Sequence, residues 1–265
     1  MGKGIIATIV LLTMPAAFAD HSWATYHWGR TSNPFTLKLG DNVATGWDSY
    51  LVQASGDWSA STVLDTTVVS GGTTGRKCRP VAGRIEVCDA AYGNNGWLGL
   101  AQIWASGNHI TQATAKMNDT YFNLSFYNTP AWRRLVMCQE VAHGFGLDHQ
   151  DENQTNGNLG SCMDYTNDPD GPPSNEHPNA HDFEQLAIIY AHLDATTTVA
   201  AATAPPPAMK EIDFDGPGQW GRKIKSSKDG KSEVYELDFG NGHKLITHVL
   251  WAEGEDAEKA KAKGK

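Results

Sequence analysis

The sequence predicts an α/β (α+β) fold whose sheet is built mostly from the first half of the chain. Segments that alternate in polarity or are rich in β-branched residues dominate the chain before Pro130. Apolar residues recur at helical spacing after that proline, and the hairpin signals Asp229-Gly230 and Asn241-Gly242 mark a further group of strands. The length of 265 residues, 40% of them hydrophobic, allows one sizeable core with a smaller appended unit.

The early elements are one helix and several strands. The first predicted strand covers residues 34–43 and ends in the turn-prone sequence Gly40-Asp41-Asn42. A helix is predicted over residues 47–59, because apolar side chains recur there at helical spacing and would form one buried face. Further strand-like segments follow at residues 63–69, 83–89, 97–104 and 109–118.

Two later helices complete the main part of the chain. Pro130 suits the first position of a helix, since the amide hydrogen that it lacks would be unsatisfied there, and the apolar spacing continues towards Gly144. The last helix is predicted over residues 182–192, with one buried apolar face. A long polar loop, residues 150–179, separates these two helices.

The first 19 residues are typical of an export signal. Lys3 precedes an apolar run at residues 5–14, and the small-residue sequence Ala17-Phe18-Ala19 resembles a cleavage site. The apolar run is shorter than the roughly 20 residues that a membrane-spanning helix needs. We therefore expect a mature chain that begins at Asp20, is secreted to an extracellular or periplasmic location, and has no membrane partner after cleavage.

The composition predicts four regions after the signal. The main domain is expected at residues 20–194, followed by an Ala/Thr/Pro linker at 195–210. Residues 211–252 are expected to form a small β unit, which can hardly bury a core alone and should dock on the main domain or on a partner. Residues 253–265 are highly charged and predict a disordered tail.

Export would place the four cysteines where disulfides persist. Four cysteines allow three pairings, and the local spacing favours Cys78 with Cys88 across a hairpin and Cys138 with Cys162. The sequence contains no Cys-x-x-Cys pair of the kind found in redox and zinc-ribbon sites. We therefore expect all four cysteines to serve as structural crosslinks.

One segment near the middle of the chain carries the clearest chemical pattern. Gln139 and His143 are four residues apart, so on a helix they project from the same face, as two ligands of one metal ion must. Glu140 precedes His143 by three residues and can reach a water molecule on that metal. Gly146 lets the chain leave the helix sharply, so that His149 can supply a third ligand.

This segment resembles the zinc signature of the metzincin metallopeptidases, His-Glu-x-x-His-x-x-Gly-x-x-His, with Gln139 in place of the first histidine. Met163 resembles the methionine of the family's Met-turn, and Tyr165 matches the tyrosine that astacin-like and serralysin-like members place beside the metal. The resemblance covers roughly residues 30–194. It implies a twisted mixed sheet, an active-site helix, the Met-turn and a C-terminal helix.

The resemblance also implies a metal-dependent endopeptidase. Gln139, His143 and His149 would hold a zinc ion, and Glu140 would act as the general base on the attacking water. Tyr165 would help to stabilise the oxyanion. A glutamine amide oxygen matches zinc less well than an imidazole nitrogen, so copper or another divalent metal is an alternative cofactor.

The expected partner is a protein or peptide substrate. By the same resemblance, an extended peptide would add as a strand beside residues 97–104. The formal charge of −9 argues against a nucleic-acid partner, which would require a basic surface. Acidic residues of the polar loop could bind calcium: Asp148, Asp151, Glu152, Asp168 and Asp170.

Two other function classes remain open. An inactive metzincin scaffold could bind peptide or metal, although a pure binding module has no need of a general base such as Glu140. A secreted adhesive or structural protein could use the C-terminal β unit to bind its partners. Several histidines follow no pattern that assigns them a role: His21, His27, His109, His192, His243 and His248.

Overall fold

The computed structural model describes residues 21–201, 209 and 214–263. The predicted export signal at residues 1–19 and much of the predicted linker lie outside these residues. No described helix is both long enough and apolar enough to cross a membrane.

The fold class is confirmed, because the described residues form a mixed sheet of nine strands with a few helices. The strands are β1 (His27–Trp28), β2 (Phe35–Asn42), β3 (Leu64–Ser70), β4 (Ile85–Ala90), β5 (Trp97–Ser106), β6 (His109–Asn118), β7 (Arg222–Ser226), β8 (Ser232–Gly240) and β9 (His243–Trp251). The helices are α1 (Asp48–Trp58), α2 (Asp119–Phe122), α3 (Pro130–His143), α4 (Ala180–Ile189) and α5 (Ala257–Lys263).

The strand order is β3-β2-β4-β6-β5-β9-β8-β7, and β1 pairs with β6 outside this path. The strands β1, β2, β3, β4 and β6 pair in parallel, whereas β5 runs antiparallel to β6. From β5 onwards every pairing is antiparallel. The C-terminal strands therefore extend the same sheet across the outer edge of β5.

Strand β5 separates two hydrophobic clusters. Alternate residues of a strand point to opposite faces, and Ala101 and Ile103 join the larger cluster, which includes buried residues of α1 and α3. Leu100 and Trp104 join the second cluster, which is shared with the C-terminal strands and contains Trp251. The C-terminal strands thus contribute a core of their own on the face of β5 that is turned away from α3.

The sequence does not predict the short elements β1 and α2, and two predicted segments differ in the structure. The last helix covers Ala180–Ile189 rather than residues 182–192, because the Asn179 side chain accepts hydrogen bonds from the His181 and Asp182 amides and so begins the helix earlier. The charged tail, predicted to be disordered, contains α5. This helix is held because Ala260 is buried in the second cluster.

Both disulfides are present in the pairing that the local spacing favours. Cys78 bonds to Cys88, and Cys138 bonds to Cys162. The first pair ties the segment before β4 to the strand itself. The second ties α3 to the predicted Met-turn, so it acts directly on the candidate site.

Candidate metal centre

Helix α3 carries three of the predicted site residues into the interior. The helix begins at Pro130, and the Thr129 side chain caps it by accepting a hydrogen bond from the Trp132 amide at 3.3 Å. At its other end, Gln139, Glu140 and His143 are each exposed by 1% or less. Groups of this polarity are rarely buried unless they are paired or bind a ligand.

Gly146 turns the chain back towards the helix. Its φ of +95° is left-handed, and a Cβ atom there would lie 2.4 Å from the Tyr26 carbonyl oxygen, so the position requires glycine. The turn brings the Leu147 carbonyl oxygen within 2.8 Å of His143 Nδ1. Because the carbonyl can only accept, Nδ1 donates and a neutral His143 keeps a lone pair on Nε2.

The same turn brings His149 close to His143. The ring centroids of His143 and His149 are 4.7 Å apart. The Tyr165 hydroxyl lies 2.9 Å from His149 Nδ1, and the Asp148 carboxylate accepts a hydrogen bond from the His149 amide. The structure therefore groups His149 and Tyr165 with the end of α3, as the motif predicts.

The predicted Met-turn is held by hydrogen bonds to α4. The Ser161 hydroxyl donates to the Asp182 carboxylate at 2.7 Å and accepts from the Met163 amide at 2.9 Å. Met163 is fully buried. The Gln139 side-chain nitrogen donates to the Cys162 carbonyl oxygen at 2.9 Å, which fixes the orientation of the amide. The other amide atom, Gln139 Oε1, is buried and has no hydrogen-bond partner among the described residues.

A third histidine, which no sequence motif indicates, enters the site from β9. The ring of His248 lies 4.0 Å from that of His143 and 4.7 Å from that of His149, measured between centroids. One potential ligand atom from each of these three residues lies within 4.8 Å of the others. Trp23 stacks on His143 at 4.9 Å with an interplanar angle of 10°, which closes the cluster on another side.

The electrostatics of the cluster favour neutral imidazoles. Burial lowers the pKa of His143, His149 and His248, and the neighbouring imidazole of His149 lowers the pKa of both His143 and His248 further. Burial alone raises the pKa of Glu140 well above its usual value. Neutral imidazoles are the form in which histidine binds metals.

The residues fit a divalent cation. Burying polar atoms without partners costs several kcal/mol, roughly 2–7 for each neutral group. The buried site atoms that lack a hydrogen-bond partner among the described residues are Gln139 Oε1, both Glu140 carboxylate oxygens, His143 Nε2, His149 Nε2 and His248 Nδ1. Imidazole nitrogens with an adjacent carboxylate are the donor set of hydrolytic zinc centres.

The predicted calcium site is not supported. The Lys225 ammonium group of β7 lies 2.6 Å from the Asp148 carboxylate and 2.7 Å from that of Glu152, so a cation of the protein itself already neutralises these two acids. Burial tends to raise the pKa of Asp148, but contacts with His149 and Lys225 outweigh it and hold the pKa below its usual range. Among the described residues, the other acids of this group join no cluster that could hold a metal: Asp151, Asp168 and Asp170.

The C-terminal strands occupy the outer edge of β5, next to the site. Strand β9 pairs with β5 from Trp97 opposite Trp251 to Ser106 opposite His243. This is the edge beside which the sequence predicts an extended peptide to bind. Gly99 of β5 leaves room for the Glu140 side chain, because a Cβ atom there would lie 2.2 Å from Glu140 Oε1.

Comparison with known proteins finds matches among solved structures. No protein-family model matches the chain, and no curated protein matches its sequence. A solved structure that resembles it is high choriolytic enzyme 1, a hatching enzyme zinc-protease from the medaka fish Oryzias latipes. The TM-score is 0.36 at 12% sequence identity, over 66% of this chain and 99% of that chain. A likeness at this TM-score carries no information about the chemistry of the site. That chemistry depends on the side chains of this chain.

Proposed function

We propose that the chain is a secreted, metal-dependent endopeptidase whose described conformation is a closed one. The observation that carries this proposal is the buried cluster itself. His143, His149 and His248 each offer a ligand atom within 4.8 Å of the others, and Glu140 Oε2 lies 3.7 Å from His248 Nδ1. Each of the three imidazoles has a buried nitrogen, and Glu140 a buried carboxylate, without a hydrogen-bond partner among the described residues. A cation held by these nitrogens would satisfy groups that are otherwise costly to bury.

The residues divide the reaction between them. A bound divalent cation would acidify a water molecule and polarise the scissile carbonyl group. Glu140 takes a proton from the attacking water onto its carboxylate and passes it to the leaving amine. The Tyr165 hydroxyl would donate a hydrogen bond to the developing oxyanion, and its position 2.9 Å from His149 Nδ1 supports a role beside the metal ligands.

Substrate entry requires β9 to leave β5. An extended peptide that adds to a sheet edge uses the backbone N–H and C=O groups of that edge, and β9 uses those of β5 along almost its whole length. His248 would leave with β9. The ligands in the open state would then be Gln139, His143 and His149, with the amide oxygen of Gln139 as the weak third donor that makes copper an alternative to zinc.

Secretion fits the same proposal. Residues 1–19 have the sequence of an export signal, although they lie outside the described residues. The disulfides Cys78–Cys88 and Cys138–Cys162 would be stable in an oxidising compartment.

The test is hydrolysis of denatured casein by the full chain loaded with zinc. Lys225→Glu should weaken the closed state, because it places a third negative charge beside Asp148 and Glu152. Lys223→Glu is the matched control, since Lys223 pairs with Glu233 of the adjacent strand at 2.6 Å and not with the site. We expect Lys225→Glu to hydrolyse casein at least about tenfold faster than wild type, and a chelator to stop the reaction.

Two results would contradict the proposal in different ways. Zinc-loaded protein that cleaves nothing in any variant would indicate a scaffold that binds metal without catalysis. Equal rates for Lys225→Glu, Lys223→Glu and wild type would leave the peptidase in place but reject the closed state.

A further inference from the structure

A second cluster of metal-binding side chains lies outside the candidate catalytic site. It joins the N-terminal strand β1, the first residue of β6 and the segment that follows α4. Its members are His27, His109, His192 and Asp194. No sequence pattern assigns these histidines a role, since they come from three distant segments that only the fold brings together.

Four distances within this cluster are close to those between the ligand atoms of a tetrahedral ion. Asp194 Oδ1 lies 3.4 Å from His27 Nε2, 3.1 Å from His109 Nε2 and 3.6 Å from His192 Nε2. The Nε2 atoms of His27 and His192 are 3.2 Å apart. Zinc with ligand bonds of about 2.0–2.1 Å separates its tetrahedral ligand atoms by about 3.3–3.4 Å.

Neighbouring groups orient two of the ligands. The Thr25 carbonyl oxygen lies 2.7 Å from His27 Nδ1, so Nδ1 donates, and a neutral His27 presents the lone pair of Nε2 to the cluster. Arg30 donates to Asp194 Oδ2 from its guanidinium group at 2.8 Å and from its amide at 3.1 Å. This leaves Oδ1 to face the three imidazoles. Contacts of this kind fix ligands in metal sites.

One contact in the cluster is unfavourable without a cation. Neutral His192 and His109 can donate from Nε2 to His27 Nε2 and to Asp194 Oδ1. The lone pair of a neutral His27 Nε2, however, also faces Asp194 Oδ1 at 3.4 Å, and a bound cation would remove this repulsion. The His192 side chain is 56% exposed, whereas the side chains of His27 and Asp194 are 7% and 9% exposed, so an ion could reach the site from the side of His192.

We propose that these four side chains form a second zinc-type site, which is structural rather than catalytic. All four positions of a tetrahedron are filled by protein ligands, as in closed structural sites, and none is left for a water or substrate. The ion would tie β1 to β6 and to the chain after α4. Because Trp23, shortly before β1, stacks on His143, this tie would also hold one wall of the catalytic cluster.

The experiment uses the full chain with His143→Ala, which disables the catalytic cluster, and measures zinc by elemental analysis and by competition with a chelator. One zinc per chain should remain, and adding His192→Ala should lower its affinity by at least about tenfold. His177→Ala is the control, because His177 is also partly exposed and pairs with an aspartate, Asp57, but lies outside the cluster. It should leave the zinc affinity unchanged.

Thermal unfolding gives a second measurement. Zinc should raise the melting temperature of the His143→Ala protein, and His192→Ala or His109→Ala should remove this rise. Absence of zinc from the folded His143→Ala protein would overturn the proposal and would identify the cluster as a group of hydrogen-bonded imidazoles around Asp194. Zinc binding that survives both His192→Ala and His109→Ala would overturn it as well. Neither result bears on hydrolysis at the catalytic cluster.

Discussion

His248 and Glu140 meet in the centre of the buried site, with His248 Nδ1 3.7 Å from Glu140 Oε2 and both side chains fully buried. One residue comes from the helix that carries the zinc motif, and the other comes from the last strand of the sheet. The contact exists because β9 pairs with β5. The C-terminal strands therefore contribute His248 to the site and also cover it. In the described conformation, a histidine of the chain itself lies where the general base is expected to act.

We predict that His248 binds the metal in the closed state. His248→Ala should lower the zinc affinity of the catalytic cluster by at least about tenfold, because it removes one of three imidazole donors. His243→Ala is the matched control, as His243 lies on the same strand but outside the cluster. The titration is best made in the His192→Ala background, which removes the second proposed site. An affinity that is equal in both variants would exclude His248 as a ligand.

Gln139 is predicted to be a weak ligand. Its side-chain nitrogen is held by the Cys162 carbonyl oxygen and its oxygen is buried without a partner among the described residues, as expected for a donor that awaits a cation. Gln139→His should raise zinc affinity, since imidazole is the better donor. Gln139→Ala should lower it, and the effect should be larger in the Lys225→Glu background, where His248 is withdrawn. Unchanged binding by Gln139→Ala in that background would show that Gln139 is not a ligand.

Asp89 of β4 should make stability depend on pH. Burial, and then a hydrogen bond with the Asp119 carboxyl group, raises the pKa of Asp89 to about 7. Because this value lies above that of the unfolded chain, the folded state binds an extra proton. The stabilisation is complete below about pH 4 and is lost as the pH rises through about 7.

Asp89→Asn tests this directly, because the amide is similar in shape and cannot ionise. Denaturant unfolding from about pH 5 to about pH 8 should show a smaller loss of stability in the variant than in wild type. Asp65→Asn, which changes an exposed aspartate of β3, is the control for the loss of one carboxylate. Parallel curves for wild type and Asp89→Asn would contradict the assigned pKa.

The sequence predicts the half of the site that is local. The helical repeat groups Gln139, Glu140 and His143, and the turn at Gly146 determines where His149 can lie. Residues close together in the chain are therefore sufficient to predict this group. Met163 and Tyr165 were found through a second motif whose spacing is also local. The order of strands and helices can be predicted for the same reason, because strands and helices each produce a characteristic local spacing of apolar residues.

What the sequence could not predict depends on pairing between distant strands. His248 lies in an ordinary apolar strand, and only the register of β9 on β5 places it against His143. Two hairpin turns predict a small β unit near the C-terminus. The sequence of β5 does not indicate which strand pairs with its free edge. The cluster around Asp194 was missed for the same physical reason, as its ligands come from three separate segments.

The central claim, hydrolysis with Glu140 as general base, is tested most directly by Glu140→Gln in the Lys225→Glu background. Glutamine keeps the size of the side chain but cannot take the proton from water. Casein hydrolysis should fall by at least about 100-fold, with zinc content unchanged. Hydrolysis at the rate of the Lys225→Glu parent, with zinc equally bound, would contradict the account.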